Sequence, residues 1–262
     1  MLLKATHNKP QGLIRTSQGL VFIKRGSLPH LKAEKEGLCA LKDAASSLII
    51  PEVLHLHSDD LGPLLVLTGL DLKTPPNWNK LAHGLTQIHA HHNTLFGWHQ
   101  DNWIGLGLQK NDWCDSWSMF FTHFRLKPKL RELEHKGFCI TPISQVLEVS
   151  RKMLQAHTPI PSLVHGDLWS GNIGFTSQGA AIFDPAVYYG DREVDLAMAR
   201  LFGGFCESFY TQYQNIAPLP AGFEQRLKLY NLYHLLNHAC LFGGSYISAC
   251  KTSFQTLLKT QQ

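Results

Sequence analysis

Asp167 and Asn172 lie five residues apart, and Asp184 follows Asn172 by twelve. Carboxylate, carboxamide and carboxylate at this spacing suit phosphoryl transfer to a hydroxyl. That reaction needs a carboxylate beside the acceptor oxygen. It also needs a divalent cation, held by oxygen ligands, to offset the charge of the transferred group. Asp167 would orient and deprotonate the hydroxyl, while Asn172 and Asp184 would hold the metal. Asp167 follows a short apolar strand, Leu163-Val164-His165, and Asp184 ends another, Ala180-Ala181-Ile182-Phe183. With only a turn near Thr176–Gly179 between these two strands, a hairpin would bring Asp184 back to Asn172. Asp and Asn also cap ordinary turns, and for either residue alone that is the better reading. Three polar residues in this order, with a strand lysine (Lys24) upstream, favour chemistry.

The order His-x-Asp-x-x-x-x-Asn, strand, Asp is that of the catalytic and metal-binding loops of protein kinases. Three departures point away from a protein kinase and towards a small-molecule kinase. Gly166 stands where a protein kinase has Arg, Asp184 is followed by Pro185 instead of Phe-Gly, and there is no Ala-Pro-Glu segment. The run Leu163-Val164-His165-Gly166-Asp167-Leu168-Trp169-Ser170-Gly171-Asn172, followed by Phe183-Asp184-Pro185-Ala186 and Tyr189-Gly190, resembles the fructosamine kinase (ketosamine 3-kinase) family. Glu193-x-Asp195-Leu196-Ala197, Leu201-Phe202-Gly203-Gly204-Phe205, the Phe223–Tyr230 segment and the tract Trp113 to Leu130 add to the resemblance. It runs from about residue 20 to the C-terminus and is strongest from 160 to 240.

The resemblance implies an α+β, two-lobed protein-kinase-like fold, with a small N-terminal antiparallel sheet plus one helix and a larger, mainly helical C-terminal lobe. It implies ATP and Mg²⁺ as cofactors and a ketosamine, small or protein-bound, as acceptor. Phosphorylation at the sugar C3 hydroxyl would then free the amine, which amounts to deglycation. On the nucleotide side Lys24 matches the lysine that meets the α- and β-phosphates. Glu34 is its expected partner, with Glu36 as the fallback, and Leu67-Thr68-Gly69 fall where backbone groups would meet adenine. Asp195 matches the acid that anchors the catalytic loop. The glycine-rich phosphate loop is the poorest match, because residues 1 to 20 offer only Gly12 and Gly19. That weakness motivates a competing reading, a nucleotide-binding pseudokinase acting as an interaction module. A related kinase with an aminoglycoside- or choline-like acceptor is the other.

These residues need elements to position them. Gly19 to Lys24 is a strand candidate after a turn at Ser17-Gln18-Gly19, and Leu28 to Ala45 has helical periodicity through Leu31, Leu38 and Leu41. Pro51 opens a further strand, and Leu64 to Leu67 is a buried one. The Pro-rich segment Lys73 to Asn77 marks a boundary, so residues 1–70 are read as the nucleotide-binding lobe and 71–262 as the catalytic and substrate-binding lobe. Beyond it Leu81, Leu85, Ile88 and His92 recur at helical spacing. Glu193 to Phe202 and Glu224 to Leu241 read as helices, each ended by a Gly-Gly pair.

Composition bounds the rest. A chain of 262 residues that is 44% hydrophobic and 17% charged can bury a core. The net charge of +4 is scattered. Its densest patch, Arg125 to Arg131, reads as a solvated helix end or turn, so nucleic acid is not expected as a partner. Six cysteines without a Cys-x-x-Cys pair suggest reduced thiols and a cytoplasmic setting. No apolar run approaches the roughly 20 residues that cross a bilayer. The histidines at 83, 89, 91, 92 and 99 invite a zinc reading, but they lack Cys or acidic partners at fitting spacing, and His89 is expected to pack or hydrogen-bond. Trp169 is read equally as a sugar platform or a core residue, and His165 as a stabiliser of the catalytic loop. Asp101-Asn102 is assigned to a turn. Tyr188, Tyr189 and Asp191 are assigned to the acceptor side.

Overall fold

The fold comes from a computed structural model that describes residues 2–45 and 47–259. In chain order the elements are α1 (Leu2–Thr6), β1 (Gly12–Thr16), β2 (Gly19–Arg25), α2 (Leu28–Ala44), β3 (Val53–Asp59), β4 (Gly62–Thr68), α3 (Trp78–His89), β5 (Asn102–Ile104) and β6 (Gly107–Gln109). Then α4 (Trp117–Phe120) runs through a π-helical segment (Phe121–Leu126) into α5 (Lys127–His135), followed by α6 (Ile143–Leu154), β7 (Ser162–Val164), β8 (Ile173–Phe175), β9 (Ala180–Ile182) and β10 (Tyr188–Gly190). Four helices close the chain: α7 (Glu193–Phe202), α8 (Glu207–Ile216), α9 (Phe223–Phe242) and α10 (Ser245–Lys259).

The chain divides into two compact units. The first combines the residues up to Ile88 with Ser170–Pro185 and Phe205–Ile216; the second holds His89–Trp169, Ala186–Gly204 and the chain from Ala217 on. In the first, β1-β2-β4-β3 form an antiparallel sheet. The central strand β4 is buried through Leu64, Leu65, Val66 and Leu67, which is why it reads as a continuous apolar run. On α2, Ser27 caps the start by accepting from the His30 N–H. Leu31, Glu34, Gly37, Leu38 and Leu41 are its buried residues, at the spacing of one helical face. The β8–β9 hairpin belongs to this unit. Ala181 bridges to Ile49, the Thr74 N–H donates to the Phe175 carbonyl at 3.3 Å, and Trp78 packs edge-on to Phe175.

The second unit is built around α9, which buries residues on all its faces and packs against α7, α10 and α5. The glycine pairs stop α7 and α9 as expected: Gly203 has φ 70° and Gly243 φ 63°, in the region only glycine enters freely.

Three expectations are corrected. The strand at 162–164 does not turn into the one at 180–182; it pairs with β10, and the hairpin partner of β9 is β8. His92 lies beyond the end of α3, where it bridges to Ser162. The basic patch is not solvated at its centre, since Arg125 and Lys129 are buried. Arg125 stacks over Tyr188 and Phe120 at 3.9 and 4.6 Å from their ring centroids. It donates to the Asn111 side chain at 2.8 Å and to the Lys110 carbonyl. Aromatic faces and amide oxygens replace the water that the sequence pattern assumed.

Candidate functional site

The loop carrying Asp167 is held by the rest of the second unit. Asp195, 1% exposed on the first turn of α7, accepts from the backbone N–H of His165 at 2.7 Å and of Gly166 at 2.9 Å, and its carboxylate lies 3.1 Å from His89 Nε2. Burial opposes its charge, but His89, His165 and the Gly166 N–H outweigh that and hold the carboxyl below its usual range. The Ala186 N–H donates to the His165 carbonyl at 2.8 Å, and the Asp167 N–H to His165 Nδ1 at 3.2 Å. Asp195 thus holds the loop backbone as the resemblance implied, and His89 hydrogen-bonds to it as expected.

Gly166 explains why that position carries no side chain. Its φ is 79°, and a Cβ there would lie 2.0 Å from the Ala186 carbonyl oxygen. Gly166→Ala is expected to cost about 2–4 kcal/mol of stability, from backbone strain plus a backbone clash. Thermal unfolding of the purified variant checks this; a melting temperature equal to wild type would contradict it.

In the first unit Lys24 lies between two carboxylates, with Nζ 2.7 Å from Glu34 and 2.8 Å from Asp184. Burial disfavours its charge, yet these two acids hold its pKa above the ordinary value. Glu34 in turn is raised, first by burial and also by the Asp184 charge. The lysine partner is therefore Glu34. His30, on the first turn of α2, feels both Lys24 and Asp184; burial first, then the Lys24 charge, lowers its pKa. No motif marked His30 in the sequence, because its place depends on α2 packing on the sheet through β4 and β3.

Asn172 precedes β8 and Asp184 follows β9. The Phe183 N–H donates to the Asn172 carbonyl at 3.0 Å, and Asn172 Nδ2 lies 3.4 Å from the Asp184 carbonyl oxygen. The Asp184 side chain is 42% exposed and its φ is 58°, a left-handed conformation that costs a non-glycine residue energy and is seen where function constrains the backbone. A carboxylate and a carboxamide oxygen at one hairpin base suit a hard divalent cation.

Leu67, Thr68 and Gly69 end β4. The Thr68 N–H donates to the Glu52 carbonyl at 2.9 Å and the Gly69 N–H to the Leu20 carbonyl at 2.8 Å. These two amides are therefore engaged within the protein. A base docking here would have to use carbonyls of this segment or N–H groups beyond Gly69. The β1–β2 connection is a two-residue turn in which Thr16 Oγ1 accepts from the Gln18 N–H and donates to the Gly19 carbonyl.

Trp169 is 40% exposed, which removes the core reading. The turn assigned to Asp101-Asn102 is corrected: Asn102 opens β5, where its side chain is buried and donates to the Val187 carbonyl, and Asp101 accepts from the Asn111 N–H at 2.8 Å across the open end of the β5–β6 hairpin. Tyr188 and Asp191 are buried, not on an acceptor face. Asp191 accepts from Tyr230 at 2.5 Å and meets His157 Nε2 at 2.6 Å; Glu193 takes a bidentate pair from Arg226 at 2.7 and 2.8 Å. His157, Asp191 and Glu193 are the one cluster among the described residues with metal-like spacing. The Arg226 guanidinium already neutralises Glu193, so a structural ion-pair network accounts for them. The sequence histidines do not converge on a metal: His83 faces Ser47, His89 faces Asp195 and His91 stacks on Tyr189. All six cysteines are free, and no helix of the described residues is long and apolar enough to cross a membrane.

Residues 8–260 match the fructosamine kinase family. A probable ketoamine kinase of Vibrio parahaemolyticus is 38% identical over 253 residues, which is 94% of this chain and 88% of that protein. A crystal structure of a candidate fructosamine-3-kinase from Haemophilus somnus 129PT has a TM-score of 0.84 at 30% identity, over 91% of this chain and 83% of that one. An aminoglycoside phosphotransferase, 14% identical, reaches a TM-score of 0.61 over 96% and 95% of the two chains and shares the fold alone. The fold is the protein-kinase-like α+β class that the family resemblance implies.

Proposed function

Because the chain belongs to the fructosamine kinase family, we propose that it transfers the γ-phosphoryl group of ATP to a sugar hydroxyl of a ketosamine. The C3 hydroxyl is the proposed acceptor. A phosphate at C3 is a leaving group beside the C2 carbonyl, so the product decomposes and releases the amine; on a glycated lysine that is deglycation. The observation that carries the reading is the 2.8 Å contact of Lys24 with Asp184. It joins the strand lysine to the carboxylate that follows the Asp167–Asn172 loop, two features far apart in the chain.

Asp167 takes the proton of the attacking hydroxyl and orients its oxygen. Asp195 and Gly166 keep the loop backbone in place for that task. Lys24, kept charged and aimed by Glu34, binds the α- and β-phosphates. Asn172 and Asp184 would hold Mg²⁺ through their side-chain oxygens, and the ion would supply charge neutralisation at the phosphates. Lys24→Met is expected to weaken ATP binding by about tenfold to a hundredfold, the size of a lost charge-assisted contact. Calorimetric titration with ATP·Mg²⁺ measures it, and unchanged affinity would remove Lys24 from the nucleotide site.

The test is ADP release against a panel: fructosamine, ribulosamine and erythrulosamine derivatives of lysine, together with choline and an aminoglycoside. Turnover confined to ketosamines is expected. Turnover of choline or the aminoglycoside alone would sink the substrate assignment. Tight ATP·Mg²⁺ binding with no turnover on any member would favour an interaction module.

A further inference from the structure

Trp169 stands two residues after Asp167, and from it a chain of aromatic rings crosses the second unit. Its ring lies edge-on to Phe202, with centroids 6.4 Å apart; Phe202 lies 4.8 Å from His238. His238 lies 5.6 Å from Phe242 and 5.1 Å from Tyr246, and those two are 6.1 Å apart. Four segments contribute: the Asp167 loop, the last residue of α7, the final turns of α9 and the start of α10. Gly243 ends α9, and the chain re-enters a helix in time to set Tyr246 beside His238. Phe242 is 67% exposed. Single exposed apolar side chains are ordinary, but a connected strip leading to a reactive loop marks a binding surface. His238 Nδ1 lies 2.9 Å from the His234 carbonyl. A carbonyl only accepts, so Nδ1 carries the hydrogen, and Nε2 of the neutral ring is left as an acceptor.

We propose that this strip is the subsite for the amine-bearing arm of the acceptor. It favours long aliphatic amines, such as a lysine side chain, over small ones. The inference rests on the ketosamine-kinase reading. In a ketosamine the amine nitrogen hangs from C1, two carbons from the C3 hydroxyl that would meet Asp167. The arm must therefore leave the sugar close to Trp169, and the ring strip begins there. The nitrogen is a secondary amine that is protonated near neutral pH, and aromatic faces attract cations. The methylenes beyond it pack against ring faces as lysine stems do, while His238 Nε2 can accept an N–H.

The test compares kcat/KM for the ribulosyl adducts of Nα-acetyl-lysine and of methylamine in wild type, Phe242→Ala and Phe242→Tyr. Phe242→Ala is expected to lower the value for the lysine adduct by about fivefold to tenfold, through KM, and that for the methylamine adduct by less than about twofold; Phe242→Tyr restores the difference. The exposure of Phe242 leaves little folding to lose, and thermal unfolding of each variant verifies this. Equal losses on both adducts, no loss on either, or a wild-type preference for the methylamine adduct would overturn the subsite. A concentration-dependent dimer that Phe242→Ala dissolves, with kinetics unchanged, would overturn it in favour of a second copy of the chain. Wild-type silence on both adducts would instead strike the ketosamine-kinase reading, and the subsite would fall with it.

Discussion

Asp167→Asn is expected to lower kcat by about a thousandfold while leaving ATP·Mg²⁺ affinity within about twofold of wild type. The amide matches the carboxylate in size but cannot accept the proton of the acceptor hydroxyl. Asp167 sits in a loop whose shape is set elsewhere, by the Asp195 contacts to the His165 and Gly166 amides and by the Ala186–His165 hydrogen bond. Its replacement should therefore remove chemistry without disturbing the fold. Single-turnover measurement of ADP formation, paired with calorimetric ATP titration, separates the two effects. A variant retaining more than about a tenth of wild-type kcat would exclude Asp167 as the general base.

Asp195→Asn is expected to cost about 3–5 kcal/mol of stability, the scale for breaking a buried charge network. An amide oxygen can replace one acceptor. Its NH₂ group, however, would face either the His165 or the Gly166 N–H, leaving that donor without an acceptor in a buried place. Turnover should fall along with stability, because the Asp167 loop loses its anchor, and ATP affinity should stay near wild type. The pH dependence has a definite sign. Asp195 is held below the ordinary carboxylate range, so the stability it contributes is fully present above the unfolded pKa of about 3.9. That contribution declines as pH falls through the lowered folded value. The wild-type melting temperature should therefore drop below about pH 4 more steeply than that of the variant, whose residue 195 does not titrate. Parallel profiles for the two proteins would contradict the anchor role.

The residues that anticipated this architecture are those whose signal is local. The apolar run Leu64–Leu67 marks β4, the spacing of Leu31, Leu38 and Leu41 marks α2, and the glycine pairs at 203-204 and 243-244 stop their helices at positive φ. The strands β8 and β10 escaped because, unlike the apolar runs of β7 and β9, each carries a glycine (Ile173-Gly174-Phe175 and Tyr188-Tyr189-Gly190), and β10 is fixed only by pairing with the distant β7. Arg125 and Lys129 were misread for a related reason. Their charge suggests solvent, and only the tertiary structure supplies the Tyr188 and Phe120 faces and the Asn111 oxygen that receive Arg125. At the candidate site, Asp167, Asn172 and Asp184 were legible from residue type and spacing. Glu34 and Asp195 became legible through family resemblance. Burial of the Asp191 network, engagement of the Thr68 and Gly69 amides and the position of His30 needed coordinates, because each depends on elements distant in the chain.

Mass spectrometry of a lysine-linked ribulosamine incubated with the wild-type protein and ATP·Mg²⁺, with fragmentation to locate the added mass, decides whether the protein phosphorylates ketosamines. Transfer onto the sugar moiety should match ADP formation one for one, followed by loss of phosphate and release of the free amine; Asp167→Asn should give neither. Hydrolysis of ATP with the ribulosamine and its fructosamine and erythrulosamine counterparts unmodified, or equal phosphorylation by wild type and Asp167→Asn, would contradict it.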